Sequence, residues 1–295
     1  ASLANGAVAA SITLIGFYLL GAIFDIATPL RLMELARPNH PLLRELVTKA
    51  PGTYHHSLLV SNLAEQAAEA IGADAFLTRV GAYYHDVGKI NRPYFFVENR
   101  MQGIDPHSQL DPWSSARIII NHVKDGDEMA RRHKLPHRVR DFIMEHQGTG
   151  LVRVFYHEAQ KAAAPEPVAE KDFRYPGPRP SSRETALVML ADSCESAVRA
   201  MRPETQAAID ELVRKIINQK LVEGELSQSP LTLSDLETTR RIFVQSLQGA
   251  HHARIVYPET ATPTPPLAGG EAPTIPQIPE TKPDDAAPSQ SAAAA

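Results

Sequence analysis

Two adjacent residues, His85 and Asp86, close an apolar run in the stretch "GAYYHDVGKINRP", residues 81–93, and are followed at once by Val87, Gly88 and Lys89. An imidazole beside a carboxylate can ligate a metal, move a proton or merely finish a helix, and the pair alone does not choose among these. Three other histidines narrow the choice. Between Thr53 and Ile71 the apolar stripe runs through Leu59, Val60, Leu63, Ala67, Ala70 and Ile71, and one step back along it lies His56. Val139, Phe142 and Ile143 lead in the same way to His146, and Ile118 and Ile119 lead to His122. In each case helical periodicity puts an imidazole where an aliphatic side chain belongs, on the inward face.

A buried imidazole without a partner costs about 1–3 kcal/mol. One such residue is satisfied by a backbone carbonyl. Three of them, together with His85 and Asp86, are satisfied more economically by one shared partner, and imidazole with carboxylate suits a divalent first-row metal. Asp192 fits the same demand, because it interrupts the apolar run "ALVMLADSCESAV" and a buried carboxylate needs a cation. Arg183 and Arg199 are the alternative partners for it. His55 points about 100° away from His56 around the helix and reads as outer or structural. His40, His107, His133, His137 and His157 read as loop or polar-face residues.

The elements that must carry these side chains read as helices. The chain has 295 residues, 43% apolar and 22% charged, with a net charge of −4, which argues against a basic surface for polymeric nucleic acid. The single cysteine, Cys194, excludes an intrachain disulfide. Thr28-Pro29 and Pro41 open two short helices, Gly72 ends a longer one, and Asp74, Asp111 and Asp127 are expected to cap three more. Pro136 and Gly148 bracket the helix of His146, while Ser181 with Glu184 and Ser234 with Glu237 have capping-box spacing. No stretch alternates apolar and polar residues long enough for a sheet, so the expected class is all-α.

Residues 1–24 carry no charge, and residues 7–24 are long enough to cross most of a bilayer. Arg31, Arg37, Arg44 and Lys49 follow, which by the positive-inside rule puts the rest in the cytoplasm. The expected organisation is a last transmembrane helix in 1–27 of a longer membrane protein, juxtamembrane connector helices in 28–52, a helical domain in 53–257, and a disordered Pro/Ala-rich tail in 258–295.

The ordered set His56, His85-Asp86, His122, His146 and Asp192 resembles the metal-binding pattern of the HD-domain phosphohydrolases. With the words "YHHSLLVSNLAEQAAEAIG", "IIINHVKDG", "DFIMEHQGTGLV" and "DFRYPGPRP", the resemblance is to one subgroup, the seven-transmembrane cyclic di-AMP phosphodiesterases of the PgpH type. It implies a helical bundle around a dinuclear site. His56, His85, Asp86 and Asp192 would hold one metal, and Asp86 would bridge to a second held by His122 and His146. Manganese or iron suits such ligands. Lys89 would meet a phosphate oxygen, and Gly88 would let the chain turn away. The implied reaction is hydrolysis of cyclic di-AMP to 5′-pApA by a water activated between the metals, on the cytoplasmic face of a bacterial inner membrane, with Asp86 and Lys89 catalytic. Tyr83, Tyr84, Tyr94, Phe95, Arg174 and Tyr175 are candidates for the adenines, with packing as the competing role of each. A homodimer is compatible with the family. A cyclic di-GMP phosphodiesterase is disfavoured because no Gly-Tyr-Pro word follows His146; another nucleotide phosphohydrolase and a non-catalytic nucleotide sensor stay open. Gln147 stands where family members often carry a second histidine, and is expected outside the ligand set.

Overall fold

A computed structural model of the chain describes residues 2–23, 25–100 and 105–251. Among them the regular elements are eleven α-helices and five short 3₁₀ turns, with one isolated β-bridge between Leu151 and Arg174 and no strand. The helices are α1 (Ser2–Ile23), α2 (Pro29–Leu35), α3 (Pro41–Lys49), α4 (Pro51–Ile71), α5 (Ala75–Tyr84), α6 (Pro112–Arg132), α7 (His137–Glu145), α8 (Arg153–Ala163), α9 (Arg183–Met201), α10 (Gln206–Val222) and α11 (Leu233–His251). The expected disordered tail lies outside the described residues.

Most helix starts follow the capping chemistry of the sequence. Thr28 and Asp111 accept hydrogen bonds from Arg31 N and Ser114 N, with proline at the first helical position of α2 and α6, and Asp74 caps α5 through Leu77 N. Gly72 closes α4 at a φ of 68°. Three expectations are corrected. Asp127 opens no helix: α6 runs through it, and its buried carboxylate accepts from Arg131 Nε at 2.8 Å and Arg140 Nε at 2.7 Å. The box before α9 is Ser182 with Thr185, and before α11 Thr232 and Asp235 exchange the reciprocal bonds.

One core gathers most of the helices, and a smaller cluster of Ala116, Ala159 and Phe173 joins α6 to α8. Val60, Leu63, Ala64 and Ala67 of α4 pack with Leu77 and Val80 of α5, Phe142 and Ile143 of α7, Leu187 and Leu190 of α9, and Phe243 of α11. The short helices α2 and α3 belong to that core, with Leu35, Leu42 and Leu46 fully buried. Tyr84, also fully buried, donates its hydroxyl to the carbonyl of Leu35 at 2.8 Å. α1 exposes Val8, Ile12 and Ile15. Among the described residues no helix is long and apolar enough to cross a membrane, so the predicted span is a helix there but is not shown to be a crossing.

Two glycines set how closely the site-bearing helices approach. A Cβ on Gly81 would fall inside the ring of Phe142, so α5 and α7 meet only because that position is bare. A Cβ on Gly88 would sit 1.8 Å from the carbonyl oxygen of His122 and 2.6 Å from Gly126 N. Gly88 is therefore required for backbone contact with α6, not for the turn that the sequence suggested.

Gly88→Ala is expected to pry the 87–91 turn from α6 and destabilise the fold by about 1–3 kcal/mol, the usual range for overpacking; thermal melting of the metal-free protein measures it. A second expectation concerns acid. Burial, aided by His133 and Arg31, lowers the His40 pKa to about 4. The unfolded chain takes up that proton nearer 6.5, so it binds more protons than the fold between those values. The contribution is neutral above pH 6.5, and stability is lost as the pH falls from 6.5 toward 4. His40→Gln should flatten that part of a melting-temperature-against-pH curve.

Candidate metal centre

Five helices meet at one point in the core, α5 and α7 by their ends and α4, α6 and α9 along their length. α4 brings His56, the end of α5 brings His85 and Asp86, α6 brings His122, the end of α7 brings His146, and α9 brings Asp192. All six side chains are buried. The ligand-capable atoms of His56, His85, Asp86 and Asp192 lie within 4.8 Å of one another, and so do those of Asp86, His122 and His146. The six positions singled out in the sequence are thus brought together.

The Asp86 carboxylate organises the geometry. Its Oδ2 faces His85 Nε2 at 3.3 Å and His56 Nε2 at 3.6 Å, and its Oδ1 faces His122 Nε2 at 3.3 Å and His146 Nε2 at 3.5 Å. Each oxygen therefore addresses one pair of imidazoles. Neither oxygen has a hydrogen-bond partner, and nor does His85 Nε2. Lys89 Nζ is 2.7 Å from Oδ2, an ion pair lying off the hydrogen-bonding direction.

The far nitrogen of each ring explains which atoms face inward. His85 Nδ1 lies 2.7 Å from the carbonyl of Ala82, His122 Nδ1 lies 2.6 Å from that of Ile119, and His146 Nδ1 lies 2.9 Å from that of Ile143. His56 Nδ1 lies 2.6 Å from a carboxylate oxygen of Glu195. Such acceptors put the proton on Nδ1, so the neutral rings present Nε2 lone pairs to the centre. His122 Nε2 and His146 Nε2 are only 3.1 Å apart. Two lone pairs at that distance, beside a carboxylate without hydrogen bonds, fit a cation held between them and are poorly explained by packing alone.

Charge points the same way. Asp86, Asp192, Glu195 and Glu98 gather around Lys89 and Arg199 as the nearby cations. Without a metal the excess falls on His56. Burial works against its protonation, but the hydrogen bonds it donates to Asp192 and Glu195 outweigh it and push the pKa up to about 10. His146, buried and less well paired, falls to about 4. Burial opposes ionisation of Asp86, yet Lys89 and His85 hold its carboxyl well below the usual range, and hydrogen bonding to His56 does the same for Asp192. Lys89 is pushed up despite burial, by Asp86 and then Glu98. A divalent ion at Nε2 of His56 would displace a proton, as ligation by histidine requires.

The alternative partners for Asp192 are not used. Its Oδ1 meets His56 Nε2 at 3.0 Å and its Oδ2 accepts from Gln147 Nε2 at 3.0 Å, whereas Arg199 pairs with Glu195. Gln147 stands behind a candidate ligand, as expected. Glu195 and Glu98 escaped the sequence reading. Glu195 lies three residues after Asp192 on α9, a spacing that returns to the same helix face, so it could have been found. Glu98, which accepts from Lys89 at 2.8 Å and Thr53 at 3.0 Å, comes from a loop with no periodic signal.

The candidate substrate contacts divide. Tyr84 is corrected: its ring edge packs on His40 and its hydroxyl is consumed by Leu35, which makes it a core residue. Tyr83 accepts from Arg79 Nε at 2.6 Å and is likewise structural. Phe95 packs its ring on His107, and Tyr94 is exposed. Tyr175 presents its ring edge to His122 at 5.9 Å between centroids. Arg174 donates to Glu170 and to the carbonyl of Thr149, and lines a recess of about 410 Å³ with Trp113 and Arg117. A larger cavity of about 770 Å³ reaches the centre at His56 and is bounded by Glu98, Glu195, Arg199 and His55.

Comparison with known proteins bears on this arrangement. The HD domain family profile matches residues 53–197. The chain is 46% identical over 254 residues to the cyclic-di-AMP phosphodiesterase PgpH of Bacillus subtilis, covering 85% of this chain and 35% of that protein. It is 44% identical over 241 residues to PgpH of Listeria monocytogenes, covering 82% and 33%. The chain thus spans about a third of the length of these relatives. The crystal structure of the L. monocytogenes PgpH HD domain superposes with a TM-score of 0.69 at 42% identity, over 72% of this chain and 100% of that one. The same domain in complex with cyclic-di-AMP gives 0.70 at 42% identity, over 73% and 100%.

Asp86→Asn keeps the shape but not the charge, and is expected to lose bound metal, while Gln147→His should keep it. Elemental analysis of the two purified variants, with circular dichroism to verify folding, measures the difference. Full metal content in Asp86→Asn would remove the bridging role from that carboxylate.

Proposed function

This chain belongs to the HD-domain family, and we propose that it is a metal-dependent phosphodiesterase domain that hydrolyses cyclic di-AMP to 5′-pApA. The observation that carries the reading is the Asp86 carboxylate between two pairs of inward-facing imidazole nitrogens. His56, His85, Asp86 and Asp192 would hold one divalent ion, and Asp86, His122 and His146 a second, with manganese and iron suited to these ligands. Bound there, the ions would supply a water of lowered pKa and positive charge for the phosphoryl oxygens.

The chain's own residues do the rest. The Nδ1 hydrogen bonds of the four histidines fix their tautomers, so the donor atoms need no rearrangement before substrate arrives. Lys89 places a fixed cation beside Asp86, held from behind by Glu98, where a phosphate oxygen entering the centre would meet it. Glu98 is itself tied to Thr53, three residues before His56 on α4, so the lysine is anchored to the same helix as a metal ligand. Tyr175 walls the His122 side, and Arg174 stands next to it. Burial of the whole cluster keeps bulk water from screening these charges.

The uncharged segment 1–24, the exposed Val8, Ile12 and Ile15, and the cationic Arg31, Arg37, Arg44 and Lys49 support attachment of the domain to the cytoplasmic side of a membrane.

Preference for adenine rests on the relatives and on the absence of a Gly-Tyr-Pro word after His146, where the chain reads Gln147, Gly148, Thr149 and Gly150. A site built to accept the 6-amino group of adenine leaves an unpaired group against guanine, worth about 1–3 kcal/mol per base. With manganese present, kcat/KM for cyclic di-AMP should therefore exceed that for cyclic di-GMP by at least about tenfold. Equal values would leave the two-ion chemistry intact and withdraw the adenine assignment; no turnover of either dinucleotide by metal-loaded protein would favour the sensing reading.

A further inference from the structure

The four histidines of the centre are not held alike. His85, His122 and His146 direct Nδ1 to backbone carbonyls of their own helices. His56 alone directs it to a side-chain carboxylate, Glu195, at 2.6 Å. Glu195 is buried, at 4% exposure, and is fixed by Arg199, whose Nε lies 3.2 Å from its other oxygen. A carbonyl orients an imidazole; a buried carboxylate also raises its electron density and its strength as a ligand.

The two groups of ligands differ further in charge. The one containing His56 has two carboxylates, Asp192 and the shared Asp86, whereas the one containing His122 and His146 has only Asp86. Glu195 adds its negative charge behind the first group and none behind the second. Asp192 is steadied by Gln147, while among the described residues the Nδ1 atoms of His122 and His146 meet only backbone carbonyls.

We infer that Glu195, held by Arg199, is a positioning residue that makes the His56 subsite the tighter of two unequal metal sites. The centre then loads in two steps, the His56 subsite first and the His122 and His146 subsite at higher concentration. The inference rests on the two-ion reading above and adds an order and a cause to it. Glu195 lies outside both groups of ligands and acts through the His56 ring. Glu195→Gln keeps an oxygen for the Nδ1 proton and removes the charge, so it isolates the electrostatic part from simple orientation. Arg199→Met leaves the carboxylate in place without its clamp.

The test is calorimetric titration of the metal-free full chain with manganese alone, supported by elemental analysis. Wild-type protein should show two separable steps. Glu195→Gln should weaken the tighter step about ten- to a hundredfold, the usual range for an outer partner of a metal-binding histidine, and leave the weaker step where it was. Arg199→Met should weaken the same step by less. A general loss of folding would move both steps together, and equal shifts of both would overturn the proposal, as would unchanged affinities in Glu195→Gln. Two wild-type steps of equal affinity would overturn it while leaving the two-ion reading intact. A wild-type stoichiometry of one would overturn both.

Discussion

The Asp86 carboxylate is the constraint on which the rest of this architecture depends. An ionised carboxylate at 1% exposure, with neither oxygen hydrogen-bonded, is tolerable only if positive charge surrounds it. The fold supplies part of that charge through Lys89 and leaves the remainder to be met at the four imidazole nitrogens. Nearly every close approach in the centre serves to bring one of those nitrogens to it.

Five helices have to converge on that single side chain, and convergence requires missing atoms as much as present ones. The bare positions at Gly81 and Gly88 let Phe142 and the backbone of His122 come closer than any side chain would allow. A surrounding layer of acceptors then sets each ring. Three carbonyls lie three residues before their histidines, two of which sit just beyond the last residues of α5 and α7 and one within α6, so each ring takes its acceptor from its own helix. Position in the helix and tautomer of the ring are thus determined together.

The candidate ligand positions were legible in the sequence because helical periodicity marks an inward residue whatever its type. His56, His122 and His146 stand out for being polar on an apolar stripe, and Asp192 for interrupting one. Caps were legible where the side chain acts on its own helix, as at Thr28, Asp74 and Asp111. The failures have a common physical origin. Asp127 looks like a cap, but Arg140 of another helix gives it a partner inside α6, and no local pattern records that contact. Tyr84 looks available to a nucleobase beside His85, yet its hydroxyl is taken by Leu35, forty-nine residues earlier. Ser181 is drawn away from the expected box by Glu145, which accepts from both its backbone N and its hydroxyl. Local chemistry proposes such roles, and long-range partners reassign them.

The bond from Tyr84 to Leu35 also has a mechanical meaning. Tyr84 immediately precedes His85, and Leu35 ends the helix that follows the α1 segment by a few residues. Arg31 of that same helix donates to the carbonyl of Lys134, just ahead of α7 and its His146. The short helix α2 therefore grips the centre's scaffold at two places, next to the chain segments that deliver imidazoles to opposite oxygens of Asp86. It forms a handle, and cutting the chain at residue 53 would remove that handle along with Leu35, Leu42 and Leu46, the part of the core beneath it.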